Sequence, residues 1–290
     1  MATRKIVRRL ALSACLAAGA LALLASPAAA SVFGPRPAHS PNADDIRTAY
    51  WVAIIVGAVL IVAVHAFLIA ALVRFRSRRG RSPQRFTAGA RAFVRPAAPL
   101  VAIAVGLFVF AVVMTTRARD VEATGPEGLG ADGDLVAQVN GLSIPSGSKV
   151  LNINVIGQRW LWRFEYPGGA PGNRVFSYGE LTVPVDTTVL LHLTSTDVTH
   201  RWFIPTLGGQ VDALPGQDVS TWFRADEVGR YGGQSTAFSG TSYTTMRAWV
   251  HVVTPQQYES FIGAKREQLT KAQDYVAKKL EETTPSGAIP

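Results

Sequence analysis

Hydrophobic residues are concentrated in three blocks near the N-terminus. The first, Leu10 to Ala25, follows four basic residues and precedes three alanines, the pattern of a secretory signal with a small-residue cleavage site. The second and third cover about Tyr50 to Val73 and Ala97 to Met114. At about 1.5 Å per residue, each helix could cross most or all of a ~30 Å hydrocarbon core. We therefore expect a signal peptide over residues 1–30 and a transmembrane hairpin over residues 31–116.

A second interpretation of the first block starts from its single cysteine. The string Leu12–Cys15 (LSAC) is similar to a bacterial lipobox, in which Cys15 would be acylated. The apolar stretch before Cys15 is very short and the hydrophobic run continues beyond it, which favours ordinary cleavage near Ser31. Such cleavage would leave a mature chain without cysteine, and this would exclude disulfides and thiolate metal ligands.

Beyond residue 149 the pattern changes to short segments in which apolar and polar residues alternate or β-branched residues are enriched. Turns with glycine or proline separate them, as in a small antiparallel sandwich or barrel. A connector over residues 117–148, with one short strand around Leu135 to Val139, leads into this β-domain of residues 149–254. The predicted strands are Val150–Val155, Arg159–Tyr166, Glu180–Val183, Thr188–Thr194, Trp202–Ile204, Ser220–Phe223 and Met246–Val253.

The C-terminal tail, residues 255–290, returns to helical spacing. Between Pro255 and Glu282 it places Tyr258, Phe261 and Ile262 on one face, which predicts a helix packed on or leaving the β-domain. The predicted fold class is therefore a membrane-anchored all-β protein, with an N-terminal two-helix hairpin, a sandwich or barrel and a C-terminal helix.

The formal net charge of +9 is concentrated between the two spans. A short loop with many arginines and no acidic residue belongs on the cytoplasmic side of a membrane. The charge thus reports topology, and it gives no support for nucleic-acid binding, since these residues could not follow a duplex. We expect a multi-pass protein of a bacterial plasma membrane, with both termini and the β-domain outside. The arginines are Arg74, Arg76, Arg78, Arg79, Arg81, Arg85, Arg91 and Arg95.

The segment Gly233–Met246 (GQSTAFSGTSYTTM), with Asp197–His200 (DVTH) upstream, carries the candidate chemistry. It resembles the copper-binding loop of subunit II of the haem-copper respiratory oxidases, which reads G-Q-C-S-E-x-C-G-x-x-H-x-x-M. In that family two thiolates, two imidazoles and a thioether hold a pair of copper ions. Here Ser235 and Ser239 take the thiolate positions, Ala237 the glutamate and Tyr243 the loop histidine, whereas His200 and Met246 are retained.

These replacements change what the loop can bind. Soft thiolates select copper, whereas a serine hydroxyl stays protonated near neutral pH and is a poor copper ligand. One imidazole and one thioether cannot hold a copper pair, so we expect no metal in this chain. We also expect Tyr243 and Phe238 to fill the volume of the lost centre, and the two serine hydroxyls to bond to nearby backbone groups. His200 is expected to be a hydrogen-bonded polar group beneath the loop.

Further strings support the resemblance, in the family's order. They are Val155–Pro167 (VIGQRWLWRFEYP), Thr194–Gly208 (TSTDVTHRWFIPTLG) and Val211–Gly216 (VDALPG). On these motifs the chain is identified as a member of the family, which implies a cupredoxin-type β-domain and contacts with membrane lipid. The resemblance also implies two partner subunits, a haem-bearing subunit I that holds haem and copper, and subunit III.

In cytochrome c-oxidising relatives the first tryptophan of the aromatic segment is the electron entry point, and exposed acids steer the basic partner. The corresponding remnants here are Trp160, Trp162, Glu165 and Asp197. Three arginines beside them, Arg159, Arg163 and Arg201, would offset that negative field. The alternative interpretation, which we prefer, makes both tryptophans core and rim aromatics of the β-domain.

The resemblance leaves three functions open. Quinol oxidases of the family show a similar loss of thiolates, which favours a structural subunit of an oxidase that takes electrons from the quinol pool through subunit I. A cytochrome c oxidase subunit that bypasses the lost centre is the alternative. A membrane-tethered copper-binding or assembly module is the second alternative. His65, inside the first span, is expected to be neutral and to face a partner subunit.

Overall fold

The computed structural model describes residues 34–74, 91–119, 138–139, 142–143, 150–169 and 173–283. The predicted signal peptide, Cys15, most of the arginine-rich loop and most of the connector lie outside these residues. The chain divides into two compact units, Met1–Ala38 and His39–Pro290, and every element below belongs to the second.

Two long helices open this unit, α1 (Pro41–Arg74) and α2 (Arg91–Arg119). Each contains an apolar stretch long enough to cross a membrane, and none of the side chains in those stretches is buried within the chain. The two predicted spanning helices are therefore present. Both extend beyond the apolar blocks that predicted them, because polar residues continue the helices at their ends.

The first turn of α1 is fixed to the β-domain. The N–H of Asp44 donates to the carbonyl of Ser40, which starts the helix, and Pro41 occupies the first helical position, where its missing N–H costs nothing. The Asn42 side chain donates to the carbonyl of Trp222 at 2.5 Å, and the Arg224 N–H donates to the Ser40 hydroxyl at 3.2 Å. These bonds, with Ser40 and Asn42 both buried, attach the helix directly to the sheet.

The β-domain is a sandwich of two sheets with a separate two-stranded ribbon. The order in the larger sheet is β10-β7-β3-β4-β5, with β3 and β7 parallel and the other pairs antiparallel. The smaller sheet has the order β11-β12-β6, with β6 parallel to β12, and β8 pairs with β9 in the ribbon. The strands are β1 (Gln138–Val139), β2 (Leu142–Ser143), β3 (Leu151–Gln158), β4 (Leu161–Glu165), β5 (Phe176–Tyr178), β6 (Glu180–Pro184), β7 (Thr188–Ser195), β8 (His200–Trp202), β9 (Val211–Ala213), β10 (Val219–Arg224), β11 (Gly229–Gln234) and β12 (Arg247–Val253).

One hydrophobic core fills the space between the sheets. Alternate residues of β3 point into it, as the period-2 pattern of its sequence predicts. At its centre the ring of Trp202 meets those of Trp162 and Phe164 edge-on, with centroids 5.5 and 5.7 Å apart. Such aromatic pairs add roughly 0.5–1.5 kcal/mol each beyond the area that they bury.

The last element, α3 (Pro255–Thr283), begins directly after β12. Tyr258 is buried and Phe261 and Ile262 are partly buried against the core, so the predicted helix and its apolar face are confirmed. The predicted fold class, an anchor of two helices followed by a β-sandwich and a C-terminal helix, is likewise confirmed.

The strand prediction fails at five places. The strand expected at Trp202–Ile204 lies instead at His200–Trp202, and β2, β5, β9 and β11 were not predicted. β5 and β9 are only three residues long, and β11 has the sequence GRYGGQ, whose glycines have low strand propensity. β11 forms because all six of its residues pair with β12, so sheet pairing overrides local preference.

Gly233 in β11 should tolerate no side chain. A methyl group there would overlap the carbonyl oxygen of Phe203 and lie 2.6 Å from Cδ1 of Ile204. We expect Gly233→Ala to destabilise the β-domain by about 3 kcal/mol, since backbone cannot yield as a side chain can. Thermal unfolding of the purified chain, followed by tryptophan fluorescence, measures this.

The matched control is Gly263→Ala on α3, where a methyl group would meet no atom within 4 Å. Alanine favours helix over glycine by roughly 1 kcal/mol, so this variant should unfold at the same temperature or slightly higher. Equal unfolding temperatures for the two variants would contradict the packing described here.

Candidate functional site

Three chain segments meet at one end of the sandwich and form the candidate site. They are the turn between β3 and β4 (residues 157–160), the link from β7 into β8 (residues 195–201) and the loop between β11 and β12 (residues 235–246). The first two are joined by a bond from the Thr196 N–H to the Gly157 carbonyl. Trp160 Nε1 donates to the Ser239 carbonyl at 3.2 Å, and this bond brings in the third segment.

Asp197 is the main connection within the candidate site. Its Oδ1 accepts from Nε2 of His200 at 2.8 Å and from the N–H of Val198 at 2.6 Å. Its Oδ2 accepts the backbone N–H of Arg159 at 2.9 Å. One carboxylate therefore fixes the β3–β4 turn, the β7–β8 link and the histidine that resembles a metal ligand.

These contacts also set the ionisation of Asp197. Burial raises the pKa of Asp197, but hydrogen bonds from His200 and from the N–H groups of Val198 and Arg159 outweigh it, so the pKa falls to about 2. The Asp197 side chain is 29% exposed, so water reaches one side of the carboxylate. Asp197 is thus an anion throughout the physiological range.

His200 lies completely buried beneath the loop, as expected. Its ring lies edge-on to Trp162 with centroids 6.0 Å apart. Nε2 bonds to Asp197, whereas the other ring nitrogen, Nδ1, has no hydrogen-bond partner among the described residues. Gly157 makes room for the ring, because a Cβ atom there would lie 2.9 Å from Cδ2 of His200. The sequence did not predict this role of Gly157, which is known there only as part of the motif Val155–Pro167.

The two serines at the thiolate positions behave differently. Ser235 Oγ accepts the N–H of Arg201 at 3.1 Å, and the Ser235 N–H donates to the carbonyl of Met246 at 2.9 Å. The expected bond from Ser235 to backbone is confirmed. For Ser239 the prediction was wrong, since its hydroxyl is buried without a hydrogen-bond partner among the described residues.

The expected filling of the site by aromatic rings was wrong for Phe238. That side chain is 78% exposed at the tip of the loop, where its ring meets Tyr243 with centroids 5.4 Å apart. Tyr243 and Ala237 are only partly buried. The fully buried side chains beneath the loop are Met246 and His200, so a thioether and an imidazole occupy the interior here.

The four residues that the resemblance links to electron entry or docking, Trp160, Trp162, Glu165 and Asp197, do not form one surface patch. Trp162 is fully buried and Trp160 is partly buried against the core, as core and rim aromatics would be. Asp197 lies beside the turn that contains Trp160. Glu165 follows Trp160 by five residues, which in an extended strand corresponds to roughly 17 Å between the two. Glu165 is also bonded by Arg163 at 2.9 Å, and its side chain is only 17% exposed.

A second ion pair reinforces the ribbon. Arg201 Nε and Nη2 donate to the two carboxylate oxygens of Asp212, at 2.5 and 2.9 Å, and the Arg201 hydrogen bond lowers the pKa of Asp212. From the sequence, Arg201 was expected only to offset the negative charge of nearby acidic residues. Its pairing across β8 and β9 could not be read from the sequence because β9 was not predicted.

The donor set does not fit a copper pair. Two of its members, His200 Nδ1 and the Met246 thioether, are buried and suited to copper, but no thiolate is present in the loop. The Ser235 hydroxyl oxygen already accepts the Arg201 N–H. Bridging two metal ions requires ligands that these residues do not supply.

Comparisons with known proteins agree with the motifs. A family model described as cytochrome c oxidase subunit II, periplasmic domain, matches residues 170–253. Cytochrome c oxidase subunit 2 of Cereibacter sphaeroides is 26% identical over 298 residues, covering 86% of this chain and 90% of that protein. Cytochrome bo(3) ubiquinol oxidase subunit 2 of Buchnera aphidicola subsp. Baizongia pistaciae is 32% identical over 104 residues, covering 36% of this chain and 35% of that protein.

Among solved structures, the periplasmic domain of subunit II of cytochrome oxidase (CoxB) of Bradyrhizobium japonicum is similar to this chain. The match has a TM-score of 0.39 and 25% identity, and it covers 41% of this chain and 95% of that one.

Replacing the Asp197 carboxylate should weaken the whole candidate site. We expect Asp197→Asn to lower stability at pH 7 by about 1–3 kcal/mol, because it removes charge-assisted hydrogen bonds to three donors. The folded pKa of about 2 lies below the ordinary value of 3.8, so the carboxylate stabilises the fold above pH 4 and loses this effect as the pH falls toward 2.

The test compares unfolding temperatures of wild type and Asp197→Asn from pH 7 to pH 2.5. The difference should be largest near neutral pH and should shrink between about pH 4 and pH 2. Glu259→Gln, an exposed carboxylate on α3, serves as the control and should change little at any pH. A difference that is independent of pH would contradict the assigned role of the charge.

Proposed function

Because this chain belongs to the subunit II family of haem-copper respiratory oxidases, we propose that it serves as a non-catalytic subunit of a terminal oxidase that draws its electrons from quinol. In this proposal the complex reduces oxygen to water, and haem and copper are held by the partner subunit I. The β-domain faces the outer side of a bacterial plasma membrane and carries no redox centre.

The observation that carries this proposal is the donor set of the loop. Hydroxyls of Ser235 and Ser239 stand where thiolates would be required, and Tyr243 stands where a second imidazole would be. Ser235 is moreover committed to a structural hydrogen bond with the Arg201 backbone. An electron arriving at this surface would therefore meet no copper pair that could accept it.

A quinol donor is consistent with such a loop. Quinol is dissolved in the bilayer and can reach a membrane-embedded subunit directly, so the outer domain need not conduct electrons. Relatives named as quinol or ubiquinol oxidase subunit 2 match this chain over 36% to 43% of its length. The role left to the β-domain is structural, in assembly with subunits I and III.

The structure of the site supports a structural role as well. Asp197 joins the β3–β4 turn to the β7–β8 link, and the bonds from Trp160 to Ser239 and from Arg201 to Ser235 join the loop to them. Arg201 and Asp212 fix the ribbon beside these segments. The Arg159 side chain, which is 51% exposed and adjacent in sequence to the partly buried Trp160, opposes docking of a basic haem protein.

A cytochrome c oxidase subunit is the second candidate. One observation favours it, since a relative that this chain matches over 90% of that relative's length is named cytochrome c oxidase subunit 2. Electrons would then need a route that bypasses the loop, such as an additional haem subunit. A membrane-tethered copper-binding module is a third candidate, which depends on metal binding by His200 and Met246 alone.

Donor preference separates the first two candidates. We expect the complex purified through a tag on this chain to oxidise a soluble quinol at least about tenfold faster than reduced cytochrome c, a barrier difference of about 1.4 kcal/mol. Oxygen consumption with each donor is the measurement. Faster turnover with cytochrome c would refute the quinol proposal, and copurification without any haem-bearing subunit would favour the copper-binding module.

Restoring the ligands should restore the metal. The combined variant Ser235→Cys, Ala237→Glu, Ser239→Cys and Tyr243→His is expected to bind two more copper ions per chain than wild type, with the near-infrared absorption of a mixed-valence pair. Elemental analysis and spectroscopy of the purified complex measure both. The control variant retains Ser239 and carries the other three changes, so it lacks one bridging thiolate and should not form the pair.

The same measurement on the wild-type complex tests the premise directly. A wild-type protein that already carries two coppers in this subunit, with that near-infrared absorption, would overturn the proposal that the centre is lost.

A further inference from the structure

His65 is the one ionisable side chain between Trp51 and Val73 of α1. It lies nine residues before Arg74, or about 13 Å along the helix axis, and about 22 Å beyond Tyr50. Its short side chain cannot reach a water interface at that distance in the way that lysine and arginine do. A polar ring at this depth in the bilayer is energetically costly unless its nitrogen atoms have hydrogen-bond partners.

The hydrogen bond of His65 fixes which ring nitrogen carries the proton. Nδ1 lies 2.7 Å from the carbonyl oxygen of Ile61, one turn earlier. A carbonyl oxygen can only accept, so Nδ1 must be the donor. In the neutral imidazole Nε2 is then an acceptor without a proton, and the His65 residue is exposed within the described chain.

The described residues of the two spanning helices offer no free donor at that depth. The residues of α2 from Ala97 to Met114 are all apolar, and its two threonines, Thr115 and Thr116, donate to carbonyls of their own helix. Lipid tails have no hydrogen-bond donors either. The acceptor is therefore met by no group within the described residues of these two helices.

We propose that His65 Nε2 accepts a hydrogen bond from a donor side chain of the haem-bearing subunit, and that this face of α1 is the contact surface with that subunit inside the bilayer. The inference rests on the proposed function, which supplies the partner. Large apolar side chains one or two turns away continue the same face and are exposed in this chain. They are Ile61, Leu68, Ile69 and Leu72, with exposed fractions of 61, 51, 43 and 73%.

A protein partner fits this face better than a mobile lipid or quinol. Lipid tails supply no donor, whereas polar side chains of a neighbouring transmembrane helix form hydrogen bonds across the helix interface. A quinol hydroxyl could also donate to Nε2, and that occupant is one outcome of the test below.

Photocrosslinking in the membrane-bound complex tests the surface. A benzophenone amino acid at position 65 is expected to crosslink to the haem-bearing subunit. The control position is Phe67, which is 72% exposed and about 200° around the helix from His65, and which should crosslink to that subunit much less. Equal crosslinking at both positions, or none at 65, would overturn the proposed surface.

Substitution tests the hydrogen bond itself. His65→Leu removes the acceptor, and because interhelical hydrogen bonds in membranes are modest we expect the haem that copurifies with the chain to fall by up to about threefold. His65→Gln, whose amide oxygen can replace Nε2, should restore it, and Phe67→Leu should have no effect. Unchanged copurification with a raised KM for quinol would overturn the protein contact and assign the acceptor to substrate.

These results are distinguishable from failure of the proposed function. If no haem-bearing subunit copurifies with the wild-type chain, the oxidase assignment itself fails. If that subunit copurifies but the variants and crosslinks do not differ, only the inference about His65 fails.

Discussion

The Asp197 carboxylate holds together the end of the β-sandwich at which the candidate site lies. Three donors from two separate segments converge on its two oxygens, and the histidine among them has no other polar partner within the described residues. Such a network is strong in a partly dry environment, where a charged acceptor is worth more than in water. The position of His200, the turn that presents Trp160 and the start of β8 all depend on it. The site can therefore keep its shape with no metal to organise it.

Much of the architecture could be predicted from the sequence, for definable reasons. The strands β3 and β12 bury alternate side chains along most of their length, so the sequence shows their periodicity. β7 is buried along most of its length and was predicted from its run of apolar and β-branched residues. β11 could not be predicted because its glycines have no side chains that could form a periodic pattern. It is a strand because it pairs with β12. The two spanning helices were the clearest prediction, since length and hydropathy alone determine them.

The site was less predictable than the fold. The residue types in the loop predict that a thiolate centre does not form there. Side-chain directions in a loop follow local backbone angles and have no simple period, so they could not be predicted in the same way. For this reason Phe238 was expected to fill the interior of the site but is exposed at the tip of the loop. Likewise, the Ser239 hydroxyl lacks the expected hydrogen bond to a backbone group among the described residues. Asp197 was assigned to docking by resemblance. Its spacing of three residues before His200 was the available sign that the two side chains would bond.

The bonds at the start of α1 have a mechanical consequence. Ser40 and Asn42 bind the backbone of Arg224 and Trp222, and these bonds couple the start of the first helix to β10. They oppose rotation of the β-domain relative to that helix. Any tilt of the anchor becomes an equal tilt of the sandwich, and the angle that its outer surface presents to a soluble neighbour is determined by how the helices pack inside the bilayer.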